Sequence, residues 1–266
     1  MGPGSYKSKG AWPLLVFLLA GCAQATIVRV SPVPGAAAGA VAPPSKALPV
    51  GEKLEYQVSW WGVPVGTVTL SIQPEGKKLA KAHLEGRSNK GLQAFYPVRV
   101  EIDSIIDPER LAPVWFHASV KRHWRIHEST ITFDRTKGTA FHQLPKGRSA
   151  TVPVGPVTQD GLSVIPYART LDFQVGQSIP LEITADGKNW HLVGRILKTG
   201  RMELKGLGAW PAVEGSAELA YPVPFFQGAK ARIWFSADSQ RIPLLAKIHS
   251  RIGPVTVVLT RRKGAE

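Results

Sequence analysis

The sequence predicts an all-β protein in which one large, curved antiparallel sheet forms a barrel or half barrel, with one short helix. Apolar and polar residues alternate with a period of two through most of the chain, while helical periodicity is nearly absent. Turns rich in glycine, proline and aspartate separate the alternating segments. An antiparallel sheet of ten or more strands has to curl to protect its edges, which favours a barrel, a half barrel or a sandwich.

The first predicted element is a β-hairpin. Leu54, Tyr56 and Val58 alternate with polar residues, as in a strand with one buried face. Residues 62–66 read Gly-Val-Pro-Val-Gly and turn the chain into a second alternating segment around Leu70. Further strands are predicted at residues 79–87, 96–106, 114–132 with a break or bend, 138–144, 173–184, 190–198, 212–221, 229–236, 244–252 and 255–261.

Residues 158–171 interrupt this alternation and predict the helix. Thr158 can cap its N-terminus, Asp160 lies in its first turn, and apolar residues recur every three or four positions from Leu162 onward. Pro166 would cost about 3 kcal/mol in a helix interior, so we expect a kink or two turns around the proline.

The N-terminus resembles a bacterial lipoprotein signal. Lys7 and Lys9 precede an apolar stretch at residues 11–20, which is too short for a bilayer that requires about 20 apolar residues. Residues 19–22 then read Leu-Ala-Gly-Cys, the pattern of a lipobox. The resemblance implies cleavage before Cys22 and acylation of that cysteine, which would attach the protein to a membrane. The alternative is an ordinary signal peptide cleaved after Ala25.

These features divide the chain into a signal peptide at residues 1–21, a tether at residues 22–49 and a β domain at residues 50–263. The tether is rich in alanine, proline, glycine and valine, a composition that cannot order itself around a core. Ala23 follows Cys22, which in enteric-type sorting resembles an outer-membrane destination. We therefore expect a protein anchored by lipid in the outer membrane of the bacterial cell envelope, with its domain in the periplasm. Cys22 is the one cysteine, so disulfides are absent.

The formal net charge of +14 favours an anionic partner. Nucleic acid is the usual first candidate for so basic a chain, but an exported lipoprotein does not meet it. The anions of the envelope are phospholipid headgroups, lipopolysaccharide phosphates and acidic glycans. The alternative is that the host simply prefers basic exported proteins.

Four segments together carry a resemblance to a known family. Residues 51–56 read Gly-Glu-Lys-Leu-Glu-Tyr, residues 62–66 form the glycine-flanked turn, residues 160–169 combine Asp-Gly-Leu-Ser with Tyr-Ala-Arg, and residues 234–243 combine Trp-Phe-Ser-Ala-Asp with Arg-Ile-Pro. In this order and spacing they resemble the bacterial envelope family of domain of unknown function 3108. The resemblance implies an exported, mostly antiparallel β protein and supplies no activity. The curved-sheet lipid carriers of the lipoprotein-sorting pathway are an architectural analogue only.

The histidine-rich segment does not predict a metal site or a catalytic one. His117, His123 and His127 share one parity, so an unbroken strand would place them on one face. Residues six apart on a strand lie about 20 Å apart, so His117 and His123 could share a metal only if a bulge folds them together. His127 and Glu128 lack the second histidine of a zincin, and the chain has no nucleophile elbow, P-loop or dinucleotide fingerprint. We expect no catalytic residue, no metal and no cofactor.

The sparse carboxylates fall mostly at predicted turns and caps. Asp160 and Asp238 lie in the segments that resemble the family, and a glycosidase would need two such groups facing each other. The alternative role is structural, with Asp160 in the first turn of the helix and Asp238 closing a turn.

Aromatic and basic residues are the candidate ligand-binding groups. In each of the pairs Trp60-Trp61 and Phe225-Phe226, neighbouring side chains of a strand point to opposite faces, so one ring lies on each face. An apolar site or a covering helix could accommodate the outward rings, and Trp124 could instead pack inward among Val120 and Ile126. The candidate residues are Trp61, Lys121, Arg122, Trp124, Arg125 and Phe226.

Three hypotheses for function follow. The first is a non-enzymatic lipoprotein whose sheet binds an apolar or amphiphilic envelope ligand, with basic residues meeting its anionic head. The second is a structural or adaptor protein of an envelope complex, and the third is a hydrolase of cell-wall glycan. An apolar cavity would favour the first, an exposed apolar patch over a filled interior the second, and paired carboxylates in a groove the third.

Overall fold

The computed structural model describes residues 29–31, 41–42, 45–219, 229–250 and 253–264. The strands are β1 (Arg29–Ser31), β2 (Lys53–Trp60), β3 (Val63–Glu75), β4 (Leu79–Ser88), β5 (Val98–Asp107), β6 (Ala112–Arg122), β7 (Arg125–Asp134), β8 (Thr139–Leu144), β9 (Arg148–Pro153), β10 (Ser178–Ala185), β11 (Lys188–Leu204), β12 (Gly208–Leu219), β13 (Ala229–Ser236), β14 (Pro243–Ser250) and β15 (Gly253–Lys263). The helices are α1 (Lys90–Gln93) and α2 (Val164–Arg169), and Pro145–Gly147 forms a 3₁₀ turn. Within these ranges no helix is long and apolar enough to cross a membrane.

All the strands join one antiparallel sheet, in the order β1-β11-β12-β13-β14-β15-β2-β3-β4-β5-β6-β7-β8-β9. β1 and β10 lie on the same side of β11, where β1 pairs with residues 201–203 and β10 with residues 188–195. The opposite side of β11 pairs with β12. Over the described residues, β9 pairs with β8 and forms no ladder with β10 or β1, so the sheet stays open. The predicted all-β fold with one large antiparallel sheet is confirmed, in its open form.

The interior of the sheet is filled with apolar side chains. Leu54, Leu70, Leu84, Ile102 and Ala118 are register neighbours across β2 to β6, and each is at most 6% exposed. They belong to one large cluster of buried residues that extends along the sheet. The alternation predicted from the sequence has therefore placed one face of these strands in the core.

The segment between β9 and β10 joins the two ends of the sheet. Gln159 forms a parallel bridge with Ile183 of β10, and Leu162 is buried in the main core. His142 Nε2 of β8 lies 3.0 Å from Thr184 Oγ1 of β10, and both residues are buried. Side chains and this connecting segment thus cover the opening that the strand ladders leave.

Part of the predicted tether contacts the domain. β1 pairs with β11, and the Ser45 amide donates to the carbonyl of Ser239 at 2.8 Å. Leu48 is 8% exposed and belongs to the main core. The folded region therefore begins before residue 50. Composition did not predict this, because it does not show that single apolar side chains and backbone groups of a proline-rich segment pack against or hydrogen-bond with the domain.

Several predicted elements are corrected. The predicted break within residues 114–132 lies at His123, where the chain turns with a φ of 49°, so this segment forms two strands. The predicted helix at residues 158–171 shrinks to α2, since Thr158 Oγ1 accepts a hydrogen bond from the Gly155 amide and does not cap the helix. α1 and β9 are additional elements, so the described chain has two short helices and not one.

Candidate functional site

Four exposed apolar side chains lie at one end of the sheet. Trp60 pairs with Val63, Val98 pairs with Arg122, and Arg122 pairs with Arg125. These registers place the β2–β3 turn, the connection that carries α1 and the β6–β7 turn at the same end. We call their exposed apolar side chains the apolar rim, which consists of Trp61, Phe95, Trp124 and Ile126.

The rim side chains stand largely in water. Trp61 is 64% exposed, Phe95 81%, Trp124 84% and Ile126 57%. The alternative in which Trp124 packs inward among Val120 and Ile126 is wrong, because the β6–β7 turn carries the indole outward. Exposed apolar groups gathered at one place on a domain mark contact with a partner, a ligand or a membrane.

The connection between β4 and β5 holds Phe95 outward. Asn89 caps α1 by accepting a hydrogen bond from the Leu92 amide at 2.9 Å, and its Nδ2 donates to the Pro64 carbonyl at 2.7 Å. Leu92 is 3% exposed and anchors the helix in the core. Because four helical residues cannot form a stable helix alone, these contacts set the position of α1 and hence of Phe95.

The backbone of the β2–β3 turn fixes Trp61. This residue has a φ of 51°, and its amide donates to the Pro254 carbonyl at 3.0 Å. The indole lies against Gly253, where a Cβ atom would come within 2.2 Å of Trp61 Nε1. Trp61 lies four strands from Trp124, which is about 20 Å along the rim at the usual spacing between strands. The two predicted tryptophans therefore lie on the same rim without contact.

Basic side chains surround Trp124. Lys121 and Arg125 are exposed and Arg122 is half-buried. Of the ion pairs that the described residues form, none includes these three side chains. The structure thus brings together four of the six predicted ligand-binding residues at the β6–β7 turn.

The three histidines of the basic segment do not share a face. His117 lies on the outer face of β6, where its Nδ1 is 3.2 Å from Thr130 Oγ1 and its ring stacks on Trp115. His127 pairs in register with Val120, an inward residue that is 3% exposed, so His127 lies on the opposite face. The strand is not unbroken, because the turn at His123 reverses the chain, and the histidines therefore do not align. The described residues contain no group of three potential metal ligands.

The segments used to infer the family meet in one buried polar network. Arg169 Nη1 of α2 lies 2.5 Å from Glu52 Oε2, and the two residues are 3% and 2% exposed. Arg262 Nε of β15 lies 3.4 Å from Glu52 Oε1, and Arg169 Nε donates to the Gln240 carbonyl at 2.9 Å. The Tyr56 hydroxyl donates to the Pro243 carbonyl at 3.0 Å. This network fastens α2 to β15 and to the turn between β13 and β14.

The two singled-out aspartates have structural partners. Asp160 is fully buried and accepts hydrogen bonds from the Ser104 hydroxyl at 2.6 Å and from the Leu162 and Ser163 amides at 2.8 and 2.7 Å. Burial raises the pKa of its carboxyl to about 6. Asp238 accepts from the Ser236 hydroxyl and closes the turn after β13. These contacts favour the structural alternative for both residues.

Comparison with known proteins identifies the family. The model of a protein family of unknown function, DUF3108, matches residues 55–260. The chain belongs to this family. No curated protein matches it. A solved structure, a β-barrel-like protein of domain of unknown function DUF1849 from Brucella abortus, is 8% identical, with a TM-score of 0.55 over 80% of this chain and 97% of that one. A Bacteroides fragilis protein with a YmcC-like fold is 10% identical, with a TM-score of 0.33 over 84% of this chain and 99% of that one.

Two of the predicted residues in this DUF3108 protein belong to parts of the chain that the structure does not describe. Cys22 and Phe226 lie outside the described residues, so the acylation site and one candidate ring stay predictions. Sequence reasoning missed Phe95 because α1 has no helical periodicity of its own. The Asn89 cap three residues before Leu92 was the available signal.

Proposed function

We propose that this DUF3108 domain is a non-enzymatic binding protein of the bacterial cell envelope that takes up an anionic amphiphile at its apolar rim. The observation that carries the proposal is the β6–β7 turn, where Trp124 stands in water among Lys121, Arg122 and Arg125. An amphiphile with an anionic head and an apolar tail matches both kinds of group at once.

The rim is a better ligand site than the interior of the sheet. Apolar side chains occupy the interior from β2 to β6, and the segment carrying α2 lies over the opening. Large exposed aromatic groups, in contrast, are available at the rim without any rearrangement. The binding hypothesis therefore moves from a cavity inside the sheet to its end.

The buried groups favour binding over catalysis. Asp160 is held by three hydrogen bonds inside the core, and Asp238 closes a turn. A glycan hydrolase needs two carboxylates that face a substrate groove, and neither aspartate is placed to do so. His117 and His127 lie on opposite faces of the sheet, and His123 lies in the turn between β6 and β7.

The proposed anchor and the rim lie at opposite ends of the sheet. β1 pairs with residues 201–203, near the end of β11, whereas β11 starts with Lys188 at the end of the sheet that carries the rim. These two positions are about 50 Å apart along the strand. If Cys22 is acylated, the seven residues from Cys22 to Arg29 span at most about 25 Å. The rim would then face away from the anchoring membrane, in the position of a protein that meets a ligand or a second surface.

A vesicle-capture assay tests the proposal. The full chain is held in phosphatidylcholine nanodiscs by its N-terminal region, and vesicles of phosphatidylcholine with or without phosphatidylglycerol are added. We expect capture of the phosphatidylglycerol vesicles and its loss in the Phe95→Ser/Trp124→Ser variant. Phe141→Ser, which changes a 42% exposed ring on β8, is the matched control and should retain capture.

The adaptor hypothesis is the second candidate, because a filled interior beneath exposed apolar groups also suits docking to a protein. Equal capture of both kinds of vesicle by all variants, or no capture at all, would contradict amphiphile binding and leave the adaptor as the function to pursue.

A further inference from the structure

We infer that the outer face beside the rim holds a phosphate-binding site, so that the amphiphile carries a phosphate in its headgroup. The site consists of Arg87, Arg99 and Lys121, which we call the cationic row. The inference rests on the proposed function and specifies its ligand.

The cationic row places like charges directly opposite each other. Arg87 of β4 pairs in register with Arg99 of β5, and Arg99 pairs with Lys121 of β6. Directly opposed side chains have Cβ atoms about 5 Å apart, and like charges at that spacing destabilise a sheet. An anion lying across the three side chains would remove this repulsion.

Two glutamates neutralise part of the positive charge of the cationic row, on the side away from the rim. Arg99 Nη2 lies 3.7 Å from Glu85 Oε1 and 3.9 Å from Glu101 Oε2, and these glutamates form the pair two register positions further from the rim. Among the described residues no carboxylate forms an ion pair with Arg87 or Lys121. The positive charge is therefore left open on the side that faces the rim.

A groove of about 420 Å³ runs along the cationic row. The cationic row borders it together with Glu85, Gln93, Pro97, Val98 and His123, and Glu85 lies two register positions further from the rim than Arg87. Its volume is within the range of small-molecule sites and is ample for a phosphorylated headgroup. Arginine guanidinium groups bind phosphate through paired hydrogen bonds, and the lysine adds a point charge.

The groove opens beside the apolar rim. Gln93 precedes Phe95 by two residues, and the His123 ring lies 5.3 Å from the Trp124 ring, centroid to centroid. A phosphate in the groove would therefore leave the rest of its molecule at Phe95 and Trp124. This juxtaposition favours a phosphorylated amphiphile over an acidic glycan, which has no apolar part for the rim.

The test compares four soluble probes by calorimetry on the full chain in phosphatidylcholine nanodiscs. The probes are inorganic phosphate, glycerol phosphate, dihexanoyl phosphatidic acid and a carboxylate amphiphile of similar length. We expect phosphatidic acid to bind at least tenfold more tightly than each of the other three. Arg87→Gln/Lys121→Gln should weaken phosphatidic acid at least tenfold, whereas Lys77→Gln/Lys78→Gln, with the same charge change at exposed positions of the opposite end, should not.

Two results would overturn the phosphate site. One is inorganic phosphate binding as tightly as phosphatidic acid, which would indicate a site for the free anion. The other is an unchanged affinity for phosphatidic acid in Arg87→Gln/Lys121→Gln. If the Phe95→Ser/Trp124→Ser variant still loses vesicle capture in that case, the phosphate site fails while the proposed function stands.

The stability of the empty site supplies an independent readout. Since the row is repulsive without an anion, Arg87→Gln should raise the Tm of the protein in phosphate-free buffer and reduce its further rise with phosphatidic acid. A lower Tm for Arg87→Gln in phosphate-free buffer would contradict the repulsion on which the inference depends.

Discussion

Replacing Glu52 by glutamine should destabilise the domain more than replacing Arg169 by methionine. Glu52 faces Arg169 at 2.5 Å and Arg262 at 3.4 Å, so Glu52→Gln leaves two cations without their carboxylate. Arg169→Met leaves Glu52 with Arg262. Removing one partner of a buried ion pair costs about 3–5 kcal/mol, and we expect Glu52→Gln near the upper end and Arg169→Met near the lower. For a domain of this size, 4 kcal/mol lowers the Tm by about 8–16 °C.

Urea unfolding of the full chain, followed by circular dichroism, measures both losses. Arg261→Gln is the matched control, because its guanidinium is 61% exposed and 3.8 Å from Glu55 Oε2, and it should cost less than about 1 kcal/mol. Glu52→Met/Arg169→Met should recover much of the stability, since no charge of the pair stays buried alone. A loss below about 1 kcal/mol for Glu52→Gln, or a larger loss for Arg169→Met, would refute the argument.

Three further predictions concern pH, binding and processing. Burial raises the pKa of the Asp160 carboxyl from 3.8 to about 6. Between these two values the carboxyl is protonated in the folded protein and ionised in the unfolded chain. Asp160 therefore makes the stability of the domain fall as pH rises from about 4 to about 6. Burial lowers the pKa of His142 from 6.5 to about 4, so this group makes stability rise with pH over the same interval. In Asp160→Asn only the His142 effect is left of the two, and the urea midpoint should therefore rise from about pH 4 to about pH 6. A midpoint that stays flat or falls over this interval would contradict the prediction. Neutralising Lys121, Arg122 and Arg125 together should weaken capture of anionic vesicles about 100-fold at low salt, because each charge contributes about 1 kcal/mol near an anionic surface. Trp124→Ala should weaken capture equally at low and high salt, since its contact is apolar. If the triple variant and the wild type showed the same salt dependence, the basic turn would not be the site of binding. Cys22→Ser should abolish acylation and leave an unprocessed precursor, and unchanged partitioning of that variant into detergent would rule out the lipoprotein assignment.

Local patterns predicted most of the sheet. Leu54, Tyr56 and Val58 alternate with polar residues, and the structure buries this set on one face of β2. The break within residues 114–132 was predicted without its position, because His123 adopts positive φ without a glycine, proline or asparagine to indicate a turn. β9 was missed because its apolar face consists only of Ala150 and Val152, which is too short an alternation to stand out.

The candidate site was predicted in part. Lys121, Arg122, Trp124 and Arg125 are adjacent in sequence, so their grouping needed no knowledge of the fold. The exposure of Trp124 depends on the β6–β7 turn, and the opposition of Arg87 and Arg99 depends on strand register. The meeting of Glu52, Arg169 and Arg262 likewise joins residues more than 90 positions apart, which a single sequence does not reveal.

Quenching of tryptophan fluorescence by brominated phosphatidylglycerol tests binding at the rim most directly. Bromine quenches indoles in contact with the acyl chains, so vesicles that carry brominated lipid should quench the full chain in nanodiscs more than unbrominated vesicles do. Trp124→Phe should remove most of this quenching, while Trp115→Phe, which changes a half-buried ring on β6, should leave it. Undiminished quenching in Trp124→Phe, or no quenching in the wild type, would contradict the account.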